Sequence, residues 1–306
     1  MSTAKKITVG VSVSILAVLI AATLLHSRSN SSSSNITLHV VAGENFWGSL
    51  ASQLGGSHVS VTSIVSDPNA DPHEYENSNA DARDFATADY IILNGAGYDS
   101  WGNKLLSANA RPSRKVLIIA DLLGRKDGDN PHFWYNPAYV TSVVRQIAAQ
   151  YMALDPKDTT YYKQRLQTLQ SSLGGYQAQI SDIKRAYADE QVAATEDIFQ
   201  YLADAAGLDL ISPQPFIQAV AEGNDPPTDS VATFQKQLQS GQVHMLVYNK
   251  QTVTPLTEAM KKQAIDQHIP IVGVTETIQP PNTAFQDWMS SQVAAIQAVL
   301  RAQKSP

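Results

Sequence analysis

From Ile36 onward, short runs of β-branched and apolar residues alternate with segments of helical periodicity, and this alternation restricts the fold more than any other feature of the chain. ITLHVVA (36–42), VSVTSIV (59–65), YIILN (90–94) and KVLIIA (115–120) read as strands. Helical segments at 45–55, 78–87 and 99–109 separate them, and one at 138–153 follows. QVAAT (191–195), VHMLVYN (243–249) and IPIVGVT (269–275) resume the pattern, with helices near 197–206, 228–239, 254–266 and 283–302. Strand–helix alternation of this kind makes βαβ units and a mostly parallel sheet. A chain of 306 residues, 43% of them hydrophobic, holds more than one domain of about 100–200 residues. The expected fold is therefore α/β with two lobes, each a mostly parallel sheet flanked by helices.

Between the lobes, residues 156–189 place Tyr162, Leu166, Leu169, Leu173, Tyr176, Ile180 and Ile183 at spacings of three or four, the stripe of an amphipathic helix. Pro156 suits its first turn. Gly174 and Gly175 weaken its middle by about 1 kcal/mol each relative to alanine, which leaves room for a kink there. The expected boundaries are an N-terminal lobe at 36–155, a connecting helix at 156–189 and a C-terminal lobe at 190–306. Ahead of them, Lys5 and Lys6 precede an uncharged apolar run, Ile7–Leu25, and a serine-rich stretch at 27–35. The run reads as a signal-anchor, either an uncleaved membrane tether or a cleaved signal, that leaves the folded part outside the cytoplasm, with the serines as a flexible spacer. With no cysteine in the sequence, neither a disulfide framework nor a lipid-bearing cysteine is available. The net charge of −6 comes with scattered basic residues, which argues against nucleic acid and favours cations as partners.

Ligands of open parallel sheets bind beyond the carboxyl ends of the strands. Four candidate residues fall there: His73 after strand 59–65, His132 after 115–120, Glu196 after 191–195 and Glu276 after 269–275. Each alone has an ordinary reading. His73 and Glu276 suit a loop, His132 could pack among Phe133, Trp134 and Tyr135, and Glu196 could favour a helix N-terminus. Together, two imidazoles and two carboxylates match a divalent cation in charge, with donors suited to manganese, zinc or ferrous iron. Asp71, Glu74 and Glu76 offer acceptors for a ring N–H, and Asn249 and Lys250 lie at the same cleft edge. The proline-rich segment 222–230 offers a surface loop for a partner.

DPHEYE (71–76), NPHFWYNP (130–137), TEDIFQYLADAAGL (195–208) and VTETI (274–278), in this order, resemble the metal-binding receptors of ABC importers for zinc and manganese, over about residues 38–300. GENFWGSLASQLGG (43–56) and DWM (287–289) fit the same family. The resemblance implies two α/β lobes joined by one long helix, with one divalent ion, manganese or zinc, held in the cleft. It places the family's four ligands on His73, His132, Glu196 and Glu276. It also implies a monomeric extracytoplasmic receptor that passes its ion to a membrane permease. Two departures stand out. The stretch before His132, GRKDGDN (124–130), lacks the histidine-rich loop of many zinc members, and no cysteine is present to carry a lipid. The missing loop and Glu196 tilt the expectation toward manganese. The chain carries no GxxxxGK[ST] or HExxH pattern, so the rival readings are a metal-dependent hydrolase of another kind or an adhesion protein on the same scaffold.

Overall fold

The computed structural model describes residues 37–68 and 72–304; the apolar run 7–25, the serine-rich stretch 27–35 and Asp71 lie outside the described residues. Two four-stranded parallel sheets carry the architecture. The first contains β1 (Leu38–Glu44), β2 (Val59–Val65), β3 (Tyr90–Leu93) and β4 (Lys115–Ile118) in the order β2-β1-β3-β4. The second contains β5 (Gln191–Ala194), β6 (Asp209–Leu210), β7 (Leu246–Asn249) and β8 (Ile271–Val274) in the order β6-β5-β7-β8. Both sheets therefore have the same topology, with the strand order reversing beside the first strand of each. Register is set by pairs such as Val40↔Val61 and Ala42↔Ile92 in the first sheet, and Val247↔Val272 in the second.

In the first half, helices α1 (Asn45–Gly55), α2 (Asn79–Thr87), α3 (Ser100–Ala108), the single turn α4 (Ile119–Leu122) and α5 (Pro137–Leu154) surround the strands. Their starts are encoded locally. Ser78 forms a capping box with Asp81 on α2, and Asn136 caps α5 with Pro137 at its first turn. The connecting helix α6 (Thr159–Tyr187) runs unbroken through Gly174 and Gly175 after a 3₁₀ turn at Pro156–Asp158. Its predicted stripe is buried apart from Leu166, which packs partly covered on the same core. The second half adds α7 (Gln200–Ala206), α8 (Gln214–Ala221), α9 (Thr228–Gln239), α10 (Pro255–Asp266) and α11 (Phe285–Lys304).

Two elements escape the sequence reading. The edge strand β6 is only two residues long, too short to show a period. Helix α8 begins within SPQP, which reads as loop, yet a proline is tolerated in the first turn because that N–H has no helical partner in any case. The strand expected at 115–120 ends two residues early, where Ile119 opens α4.

One hydrophobic core runs through both halves, taking in Val40, Trp47, Trp134 and Ile147 together with Leu173, Val247, Trp288 and Val293. Helix α6 packs on α1, α5, α7 and α11, and so joins the sheets along its length. Gly48 allows α1 to lie on β2, since a Cβ there would come within 2.0 Å of Ser63 Oγ. Gly174 and Gly175 are exposed, and a Cβ at either would meet no atom within 4 Å. Alanine at Gly174 and Gly175 is therefore expected to stabilise the chain by about 0.5–1 kcal/mol per site. Gly48→Ala is expected to destabilise it, both effects being read from denaturant midpoints at unchanged slope.

Candidate metal centre

His132 is positioned by a turn that has no freedom. Phe133, Trp134 and Tyr135 form a fully buried 3₁₀ turn, with Trp134 stacked on Phe46 at a centroid distance of 3.9 Å. Asn94 Nδ2 donates to Pro131 O (2.9 Å), and the Tyr135 hydroxyl lies 2.9 Å from Thr275 O on the opposite lobe, next to Glu276. His132 is itself completely buried. Its Nδ1 faces two acceptors, Asn130 Oδ1 at 2.9 Å and Asp197 Oδ1 at 3.1 Å. Asn130 cannot turn round, because its Nδ2 donates to Asp197 O (2.7 Å) while its Oδ1 accepts from the His132 backbone N–H (2.9 Å). The neutral ring therefore carries its proton on Nδ1 and presents the Nε2 lone pair to the cleft. No side chain hydrogen-bonds that nitrogen among the described residues.

His73 sits on a 3₁₀ turn, Pro72–Glu74, beyond β2. Its Nε2 lies 3.5 Å from Glu276 Oε2, and His132 Nε2 lies 3.9 Å from the same oxygen. One atom each from His73, His132 and Glu276 thus falls within 4.8 Å of the others. Glu276 is fully buried; Tyr98 donates its hydroxyl proton to Oε2 (2.6 Å) and Asn249 Nδ2 donates to Oε1 (2.6 Å). Glu196, also fully buried, lies outside the 4.8 Å group but shares the Asn249 amide, which donates to its Oε1 at 2.6 Å. Glu196 Oε2 is buried with no hydrogen-bond partner among the described residues. The structure thus brings three of the four sequence candidates together and sets the fourth beside them. Of these groups His73 and Tyr98 line a cavity of about 920 Å³ that reaches the 222–226 part of the proline-rich loop, and no lysine or arginine is among its described lining residues.

Several supporting residues do not stand out in the sequence. Glu74 and Glu76 are exposed, and the His132 ring is held by Asn130 and Asp197 instead. Tyr98 follows β3 after Gly95-Ala96-Gly97, all three with positive φ. The same search past strand ends that finds the histidines also reaches Tyr98, but a tyrosine is not a usual metal donor and carries no signal of its own.

The electrostatics follow from burial. Glu196 is pushed up to about 8 by desolvation and by the Glu276 charge, against the pull of His132. Desolvation lowers His132, but the Asp197 hydrogen bond and charge outweigh it and leave the imidazole raised. Behind the first sheet's strand reversal, Glu44 is raised by burial and by Asp99. Asp99 is raised to about 6 by burial, although the Gly95 and Asn94 N–H groups pull it down.

With this geometry in place, comparison with known proteins is decisive for the family. The family model described as zinc-uptake complex component A, periplasmic (ZnuA), matches residues 40–299, and the chain belongs to that family. The metal ABC transporter substrate-binding lipoprotein FimA of Streptococcus parasanguinis is 23% identical over 276 residues, covering 84% of this chain and 87% of that protein. The manganese ABC transporter substrate-binding lipoprotein PsaA of Streptococcus pneumoniae is 24% identical over 260 residues, 79% of this chain and 80% of that protein. Among solved structures, the cadmium-bound periplasmic metal-binding protein of Candidatus Liberibacter asiaticus superposes with a TM-score of 0.70 at 16% identity, over 85% of this chain and 98% of that one, a likeness of fold.

Glu196, His132, Glu44 and Asp99 all have folded values raised above their unfolded ones, so the folded state binds more protons between about pH 5 and 8. Stability of the chelator-treated protein is therefore expected to fall as pH rises through that window. Thermal melts between pH 5 and 8.5 check the sign, and adding a divalent ion is expected to raise the midpoint most at the alkaline end.

Proposed function

We propose that His73, His132, Glu196 and Glu276 hold one divalent ion, zinc or manganese, as the cargo of a receptor that delivers it to the membrane permease of an ABC importer. One observation carries the ligand assignment. His132 Nε2 and Glu196 Oε2 are fully buried donor atoms with no hydrogen-bond partner among the described residues, and the buried Glu276 carboxylate lies 3.9 Å from the first of them. Unpaired carboxylates in such a place are costly, and a doubly charged ion offsets both at once. The family description names zinc and the PsaA relative is named for manganese, and the two-nitrogen, two-carboxylate donor set accommodates either.

In this role the protein performs no bond chemistry. His132 is preset to ligate by the Asn130 and Asp197 acceptors, and Tyr98 orients Glu276 through its hydroxyl. Residues 7–25 tether the monomeric receptor on the outer side of the membrane, in place of the lipid-bearing cysteine that this cysteine-free sequence lacks.

Elemental analysis of the full chain purified from its host without added metal is expected to find about one divalent ion per chain. His132→Ala and Glu276→Gln are each expected to weaken binding by more than about 100-fold, beyond the loss that follows removal of an outer-shell partner, with the circular dichroism spectrum retained. Affinity is expected to fall about tenfold or more per pH unit below about pH 6, where protons occupy the imidazoles. A flat response from pH 8 to 5 would rule out the two-histidine site.

A further inference from the structure

Strands β5, β7 and β8 lie side by side, so their carboxyl ends present Glu196, Asn249 and Glu276 in a row with the asparagine in the middle. Asn249 is 2% exposed, and its amide orientation is determined by its surroundings. The Gln251 backbone N–H donates to Oδ1 (2.9 Å), which turns Nδ2 toward the carboxylates. Nδ2 lies 2.6 Å from Glu196 Oε1, 2.6 Å from Glu276 Oε1 and 2.9 Å from Thr252 Oγ1. An amide has two N–H bonds, and the two shortest contacts take them both. One oxygen of each carboxylate is thereby occupied by the same side chain.

We propose that Asn249 is a specificity-determining residue: by holding Oε1 of both Glu196 and Glu276, it makes each carboxylate a one-oxygen ligand and so favours zinc over manganese. This rests on the ligand assignment proposed above. With Oε1 of each glutamate drawn to Asn249, the donors that remain are Oε2 of each glutamate, where Glu276 Oε2 keeps one lone pair beside the one that accepts from Tyr98 (2.6 Å), and one nitrogen of each histidine. Four donors of that kind match the tetrahedral shell of zinc. Manganese takes an oxygen-rich six-coordinate shell, which the same residues could supply only if each carboxylate gave both oxygens. The clamp does not touch the ion; it acts by deciding how many oxygens the ion can reach. It also opposes the leaning toward manganese that Glu196 and the missing histidine-rich loop suggest in the sequence.

The test is competition titration of zinc and of manganese against a chelator of known affinity, using the full chain, Asn249→Ala and Asn249→Ser. Zinc X-ray absorption on the same samples reads the number of nitrogen and oxygen neighbours. The ratio of manganese Kd to zinc Kd is expected to fall by about tenfold or more in Asn249→Ala, with Asn249→Ser, which keeps one donor, in between. Zinc is expected to have about four neighbours in the parent chain and more than four in Asn249→Ala. Equal losses for both ions, or an unchanged ratio, would overturn the specificity role and leave the ligand assignment standing. A parent chain that binds neither ion would overturn both. Thermal melts of the metal-free variants establish that they are folded, and Asn249→Ser carries the test if Asn249→Ala is not.

Discussion

Two carboxylates, on Glu196 and Glu276, are withdrawn completely from water beyond the ends of the two strands that flank β7. Burial and the neighbouring Glu276 charge raise the proton affinity of Glu196, and like charges so placed cost stability unless something positive meets them. The amide of Asn249 and the hydroxyl of Tyr98 offset part of that cost. Neither carries a charge, so a cation fits the remainder. The strand ends, the histidine turns and the Tyr135 link across the lobes all acquire a purpose from this one electrostatic constraint.

The constraint can be met because of topology. Each sheet reverses its strand order beside its first strand, and such reversals open a crevice at the carboxyl edge. In the second sheet that edge carries Glu196 and Asn249, with Glu276 just past the end of the next strand. In the first, Glu44, Asp99 and Tyr98 occupy the equivalent edge, with His73 and His132 in the segments that follow the outer strands β2 and β4. The shared hydrophobic core and helix α6 pack the two halves against each other. Tyr135 to Thr275 and Asn45 to Ile278 add direct hydrogen bonds from one half to the other. The proposed donor set, split between lobes, therefore depends on packing far from the site. Trp134, stacked on Phe46 and 5.2 Å from the His132 ring, belongs to both the core and the site.

Much of this architecture is legible in the residues. Strand 59–65, helix 45–55 and helix 228–239 have the bounds their patterns indicate, because period and composition agree there. Edge strand β6 and helix α8 are not legible, since two residues have no period and paired prolines imitate a loop. At the site, position past a strand end is enough to pick His73, His132 and Glu276 as neighbours. It does not tell that Glu196 reaches them through Asn249, nor that Asn130 and Asp197 set the His132 tautomer. Those relations depend on rotamers and on contacts between strands distant in sequence, and residue type alone does not encode them.

The most direct test is a crystal structure of the zinc-loaded protein with anomalous scattering recorded at the zinc edge. One strong peak is expected within about 2.0–2.2 Å of a nitrogen on His73 and on His132 and of an oxygen on Glu196 and on Glu276. A peak elsewhere, for instance among His58, Asp155 and Asp158, with the cleft carboxylates left on Asn249 alone, would contradict a shared ion at the strand ends.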